Sequence, residues 1–326
     1  MDQICQVLDS SLLQALSYGI AVFGLFFSFR ILGFPDLTID GSFTLGGAIT
    51  GTLITSGSSP ILGIFISVLA GFLAGVQTGI LHTKLRLSKL LSGILSMMIL
   101  YSLNFRIMGQ RPNLKLFGLS SAVAPIEKLD VIVNSWIHSN IGYQARFHIG
   151  SILFFGIIIF IIRHIMTRFL LTENGILMRA IGHNARLVIN LGVSADKTKI
   201  IGLGIANSLV ALSGSLISQE MGFVDINMGN GMIIIAIASL IIGEEIIRLF
   251  RKHQYEVGLL SISPILGSFL YYLLITIVLR LSTFRALPFV QIEPTDLKMI
   301  TALVIILVVY VRKDKVTEIL LKEDSL

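Results

Sequence analysis

The chain has 326 residues, 54% of them hydrophobic and only 13% charged, with a mean hydropathy of +0.86. That composition excludes a water-soluble domain and defines a polytopic membrane protein. The net charge of +6 does not mark a nucleic-acid binder, because the basic residues gather at the ends of apolar runs, where membrane orientation accounts for them.

A membrane span needs about 20 apolar residues to cross about 30 Å of hydrocarbon. The first predicted span covers residues 12–32; with Asp2 and Asp9 but no Lys or Arg ahead of it, it is expected to persist as a span and not to be cleaved as a signal peptide. It ends in Gly33-Phe34-Pro35-Asp36-Leu37-Thr38-Ile39-Asp40-Gly41-Ser42, which cannot continue a lipid-facing helix. Such backbone either emerges as a surface turn or lines a cavity where protein or water satisfies it. Spans follow at 43–56 and 61–81, with Gly47 and Gly51 on one and Gly71, Gly75 and Gly79 on the other, a spacing that makes flat faces for close helix packing.

Lys84, Arg86 and Lys89 form a basic loop before a span at 90–108, and residues 109–148 read as a long polar connection with Trp136 as an interfacial anchor. After a fifth span, 149–162, the chain turns polar, carrying Arg179, His183, Asn184, Arg186, Asn190, Asp196, Lys197 and Lys199. Within it Met178, Ile181, Leu187, Val188 and Leu191 recur at helical spacing and Gly192 supplies a stop, which predicts a short amphipathic helix. Two readings are open: a helix lying on the membrane surface, or a docking helix that passes work from a soluble motor to the membrane part. A sixth span begins near residue 199 and is dense in Gly, Ala and Ser. Residues 220–231 are again irregular, and further spans are predicted at 232–247, 257–279 and 299–311. The expected fold is an all-α bundle, one transmembrane domain over 1–326 with about nine spans, between eight and ten.

Alternating the loops places 16 Lys and Arg on one side and eight on the other, with Arg30 at a span end completing the 25. The richer side is expected to be cytoplasmic, which puts the N-terminus outside, the C-terminus inside and the polar stretch in the cytoplasm.

No phosphate-binding loop of the Gly-x-x-x-x-Gly-Lys-Ser/Thr form occurs, so any ATP that powers this chain is bound by another subunit. There is no His-Glu-x-x-His and no Gly-x-Ser-x-Gly, the histidines are scattered, and Cys5 stands alone, so neither a hydrolase site, a metal site nor a bound cofactor is expected. The acidic residues Asp36, Asp40, Asp225, Glu244 and Glu245 fall at predicted span boundaries, which argues against an ion-coupled secondary carrier while leaving open one built on broken helices. Gly33-Phe34-Pro35-Asp36-Leu37 can be laid over Gly222-Phe223-Val224-Asp225-Ile226, on opposite sides of the predicted topology. That pairing is the expectation for an inverted repeat with the solute path at its interface, and it nominates Phe34, Asp36, Asp40, Phe223 and Asp225 as path residues.

The stretch from Arg179-Ala180-Ile181-Gly182-His183-Asn184 through Leu191-Gly192-Val193-Ser194-Ala195-Asp196-Lys197 to Gly214 resembles the coupling loop and following helix of the branched-chain amino acid and ribose permeases of ATP-binding cassette importers. Phe34 to Phe43 resembles the start of the second span of that family, and the likeness covers residues 15–312, closest to the tryptophan/tyrosine permease subgroup. Where branched-chain permeases often carry Gly-Gly-x-Gly, this chain has Ile242-Gly243-Glu244-Glu245-Ile246, which weakens any transfer of the branched-chain substrate.

The resemblance implies a permease subunit, not an enzyme, in a bacterial inner membrane. It would form a homodimer around a central path, with two cytoplasmic ATP-binding subunits and an extracytoplasmic solute-binding protein as partners. It also implies a coupling loop at 172–198 in which Arg179, Gly182, His183, Asn184, Leu191 and Gly192 meet the ATPase. The competing reading is a secondary carrier for a small organic solute.

Overall fold

The computed structural model describes residues 2–141, 147–190, 192, 194–250, 257–283, 299, 302, 303 and 306. Helix α1, Asp2–Leu25, runs directly into six π-helical residues, Phe26–Ile31. After an irregular connection come α2, Thr38–Thr55, α3, Pro60–Thr83, and α4, Lys89–Ile107. The presumed polar connection instead holds a strand, β1, Asn113–Lys115, and a helix, α5, Ala124–Ile141. Then follow α6, Ile149–Leu170, α7, Glu173–Asn190, α8, Ala195–Met221, and β2, Phe223–Asp225. The last described helices are α9, Met232–Phe250, α10, Val257–Leu260, and α11, Ser263–Thr283. The predicted span at 299–311 lies outside the described residues apart from 299, 302, 303 and 306.

The helix boundaries have local causes. Pro60 opens α3, where its missing N–H costs nothing, and Ser88 caps α4 by accepting the Leu91 N–H at 3.2 Å. Asp130 on α5 does the same for α6 from a distance in sequence, accepting the Gly150 and Ser151 N–H groups and the Ser151 hydroxyl. This contact ties α5, which forms in a stretch whose composition suggested a loop, to the start of α6.

Among the described residues, five stretches are long and apolar enough to cross a membrane: Cys5–Ile31, Pro60–Thr83, Lys89–Ile107, Ile149–Leu170 and Ala195–Met221. The first and last are mostly buried inside the protein, whereas the other three present most of their apolar surface outward. Phe65, Leu69 and Leu73 on α3, Met98 on α4, and Leu153, Ile157 and Phe160 on α6 form this outer belt, the arrangement expected where lipid is the solvent. The chain is thus an integral membrane helix bundle with α1 and α8 at its centre.

Small residues let those central helices be approached closely. Along α3, Gly71, Gly75 and Gly79 lie against Asn207, Leu203 and Ile200 of α8, and a Cβ at Gly75 would collide with the Leu203 carbonyl oxygen. Gly46 of α2 meets the Ala211 carbonyl and Gly214 of α8 meets the Phe43 carbonyl in the same way, so α2, α3 and α8 are one block without slack. Hydroxyls stitch the block where hydrocarbon offers no water: Thr50 bonds Ser67 at 2.8 Å and Ser215 at 2.6 Å, and Thr38 bonds Thr78 at 2.7 Å. A second glycine joint fastens α9 to α11, through Gly243 against the Ser263 carbonyl and Gly267 against the Ser239 carbonyl.

The bundle has two distinct ends. At one, β1 and β2 pair antiparallel, Leu114 opposite Val224, beside the start of α6, where His148 bonds Asp9 at 2.7 Å. At the other, α7 meets the end of the π-helical turn and the start of α8.

Candidate functional site

Two breaks in helical structure organise the interior. The first follows the π-helical turn: Gly33, at φ +61°, closes it in a left-handed conformation that favours glycine. Phe34 then packs edge-to-face on His82 with ring centroids 5.2 Å apart. Asp36 turns fully inward. Its carboxylate accepts the Thr38 N–H at 2.9 Å and the Asn207 Nδ2–H at 2.6 Å, while Ser42 donates to the Asn207 Oδ1 at 2.7 Å. Asn207 lies near the middle of α8, so this buried carboxylate sits deep in the bundle with both its oxygens hydrogen-bonded. From the neighbouring helix, Lys89 donates to the Gly33 carbonyl at 3.0 Å.

The second break begins with Gly222, at φ +72°, and resembles the first locally. Each glycine ends a helix, each is followed by Phe-x-Asp, and each Asp accepts the N–H two residues on, Asp225 that of Asn227 at 2.7 Å. The surroundings differ. Phe34 is 1% exposed and Phe223 41%; Phe223 and Asp225 lie in β2 at the outer ribbon, while Phe34 and Asp36 belong to the core. From Val224, packed on Gly51, the chain descends past Gly47, met by Met228, to Asp40. That is about 17 Å of α2 at 1.5 Å per residue. Helix α9 therefore begins inside the bundle. Its first N–H groups are taken by Asp40, which accepts from Gly231 at 2.9 Å and Ile233 at 2.8 Å, and Thr44 accepts the Gly229 N–H at 3.1 Å. A carboxylate at this helix N-terminus satisfies donors that hydrocarbon cannot.

Helix α7 sits at the opposite end from the ribbon. It is two short helices meeting at Asn184, whose φ of −155° and ψ of 92° are not helical. Met178, Ile181 and Val188 of the expected apolar stripe are buried, and His183 and Asn184 are exposed. Gly182 rests on the Ile31 carbonyl and the Leu32 backbone, and a Cβ on Gly33 would in turn lie 3.0 Å from the Gly182 carbonyl oxygen. Arg179 is half-buried with its Nε unpartnered among the described residues. A Cβ on Gly192, at φ +79°, would meet nothing within 4 Å among the described residues, and Leu191 lies outside them.

The predicted site residues thus separate into three groups: Phe34, Asp36 and Asp40 in and around the first break, Phe223 and Asp225 at the β1–β2 ribbon, and Arg179 to Gly192 at the opposite end of the bundle. Sequence reasoning passed over Asn207, a polar residue in the middle of a small-residue span, although that position alone is a signal. It also passed over Arg30 and Glu244, which pair at 3.1 Å between the π-helical turn and α9. Among the described residues no three His, Cys, Asp or Glu side chains gather as metal ligands.

A membrane bundle with two helices broken at depth, and with an amphipathic two-part helix pressed against one of the breaks, is the build of a transport permease. The chain belongs to the family described as the permease component of branched-chain amino acid transport systems, whose pattern matches residues 7–310. It is 38% identical over 297 residues to a tyrosine transport system permease protein of Clostridioides difficile (strain R20291), covering 91% of this chain and 88% of that one. It is 30% identical over 299 residues to an uncharacterized protein of Rickettsia prowazekii (strain Madrid E), covering 92% and 95%. No solved structure matches it.

Proposed function

We propose that this chain is the membrane-spanning subunit of an ATP-binding cassette importer for an aromatic amino acid such as tyrosine. In this reading α7 faces the cytoplasm and seats on a separate ATP-binding subunit. The observation that carries the reading is α7 itself, exposed at His183 and Asn184 and locked through Gly182 onto the backbone of Ile31 to Gly33. A push on α7 therefore reaches the first break without passing through a flexible side chain. The half-buried Arg179 is available to orient the partner, and a solute-binding protein would deliver tyrosine at the ribbon end. A dimer of two copies would enclose the path, with Asp40 and the start of α9 on its wall.

Gly182→Ala tests the joint. The added methyl overlaps the Ile31 carbonyl, and because α7 packs on one end of the bundle and is not one of its apolar spans, the spans are expected to insert normally. Tyrosine uptake by the reconstituted complex is expected to fall by about tenfold, a loss within the roughly 5–150-fold range of coupling between two sites, with stimulated ATP hydrolysis falling in parallel. Wild-type uptake by Gly182→Ala would remove the joint from the mechanism.

Orientation is tested with thiol chemistry. In a Cys5→Ser background, cysteines at Asn184 and Asp225 are expected to react with an impermeant reagent from opposite faces of the membrane, Asn184 only from the cytoplasm. Labelling of both from outside contradicts the topology.

The broken helices favour one other reading, a secondary carrier, since such breaks form ion and solute sites in carriers. Deleting the partner ATPase separates the two. Uptake is expected to vanish, and a carrier would keep it.

A further inference from the structure

Two charged residues that the functional reading leaves unused, Arg30 and Glu244, lie on either side of one joint. Arg30 is part of the π-helical turn, one residue before Ile31, whose carbonyl carries Gly182 of α7. Its Nε lies 3.1 Å from Glu244 Oε1 on α9, and the Glu244 side chain is only 8% exposed. Ten residues beyond Arg30, Asp40 holds the other end of α9 through the Gly231 and Ile233 N–H groups. The break between α1 and α2 is thus flanked by an arginine and an aspartate that grip α9 at two points, about 17 Å apart along its axis from Ile233 to Glu244. Helix α9 is in turn joined backbone to backbone with α11 through Gly243, the residue next to Glu244.

An ion pair between helices whose carboxylate is buried while its arginine is 31% exposed is seldom a large source of stability, because desolvating the carboxylate offsets much of the attraction, so its presence asks for another role. The π-helical turn offers one. Its wide hydrogen-bond register is uncommon, and such turns recur at working sites. We infer that Arg30 and Glu244 form a latch that makes α9 and α11 follow the π-helical turn when α7 moves, so that they are positioning residues for transport. The inference rests on the proposal that an ATPase drives α7.

The test uses the full chain assembled with its cognate ATPase and solute-binding protein in proteoliposomes, with labelled tyrosine as the probe. Arg30→Glu, Glu244→Arg, the double exchange and the conservative Glu244→Gln are compared for ATPase co-purification, basal ATP hydrolysis and tyrosine moved per ATP. Each single variant is expected to assemble and hydrolyse ATP while moving about tenfold less tyrosine per ATP, a typical coupling loss. The double exchange is expected to recover to within about threefold of wild type, as a pairwise interaction should. Wild-type transport per ATP in Glu244→Gln overturns the latch, even if the charge reversals fail to insert. So does a double exchange that assembles yet is no better than the singles. A wild-type complex that moves tyrosine without ATP hydrolysis fails differently: it removes the ATPase reading and the latch together.

Discussion

Gly75→Leu is expected to abolish recovery of folded protein. The glycine sits where α3 crosses α8, and a Cβ built on it falls on the Leu203 carbonyl and within 2.8 Å of the Gly204 Cα, both backbone atoms that cannot rotate away. Overpacking a well-filled core costs about 1–3 kcal/mol when side chains can adjust, and more when they cannot. Here relief requires moving α3 off α8. That would also pull Gly71 from Asn207 and Gly79 from Ile200, so the whole seam opens together. Against a total stability of about 5–15 kcal/mol, such a loss is decisive. Gly156→Ala on α6 is the control, because its Cβ meets nothing nearer than Leu16 Cδ1 at 3.9 Å. It is expected to match wild type or gain up to about 1 kcal/mol from better helix propensity. The measurement is monodisperse yield and unfolding midpoint in detergent; a Gly75→Leu protein with the wild-type midpoint would show that the seam is not a constraint.

Asp36→Ala is expected to destabilise the bundle nearly as much. The change strips acceptors from the Thr38 N–H and the Asn207 amide, both buried, and each orphaned donor costs about 1–3 kcal/mol. Because the loss lies in a shared network, Asp36→Ala combined with Asn207→Leu should be milder than the two single losses added. Thermal unfolding of the three variants measures this. It also separates two roles for the carboxylate. A lock between the first break and α8 lowers the midpoint, whereas a solute contact would lower uptake and leave the midpoint unchanged.

Much of the architecture was legible before any coordinates. Apolar run length places α3 and α4 within a residue or two, because a lipid-facing helix must stay apolar for its full length. The glycines four apart were legible as a packing face, and Met178, Ile181 and Val188 as the buried stripe of α7. Helix α6 ran eight residues beyond its predicted end at Ile162, to Leu170, because Arg163, His164 and Arg168 can extend past the hydrocarbon while the backbone stays helical. Helix α5 was missed because its anchor, Asp130, works on the far side of a chain reversal.

The sequence by itself determined the class of the protein, a membrane bundle, since hydropathy and span length depend only on local composition. It also showed where helices could break, since Pro35 fixes its own φ and disfavours a helical Phe34, while Gly33 and Gly222 permit the left-handed turns found there. Tertiary structure alone decided which of the two Gly-Phe-x-Asp segments is buried: the segments share a local turn, but only Asp36 meets a side chain, Asn207, from the middle of another helix. It alone decided that Asp40 serves α9 and that Arg30 finds Glu244, partners separated in sequence by some two hundred residues. Pairings of that range follow from how rigid helices stack, and no local pattern in the chain encodes the stacking.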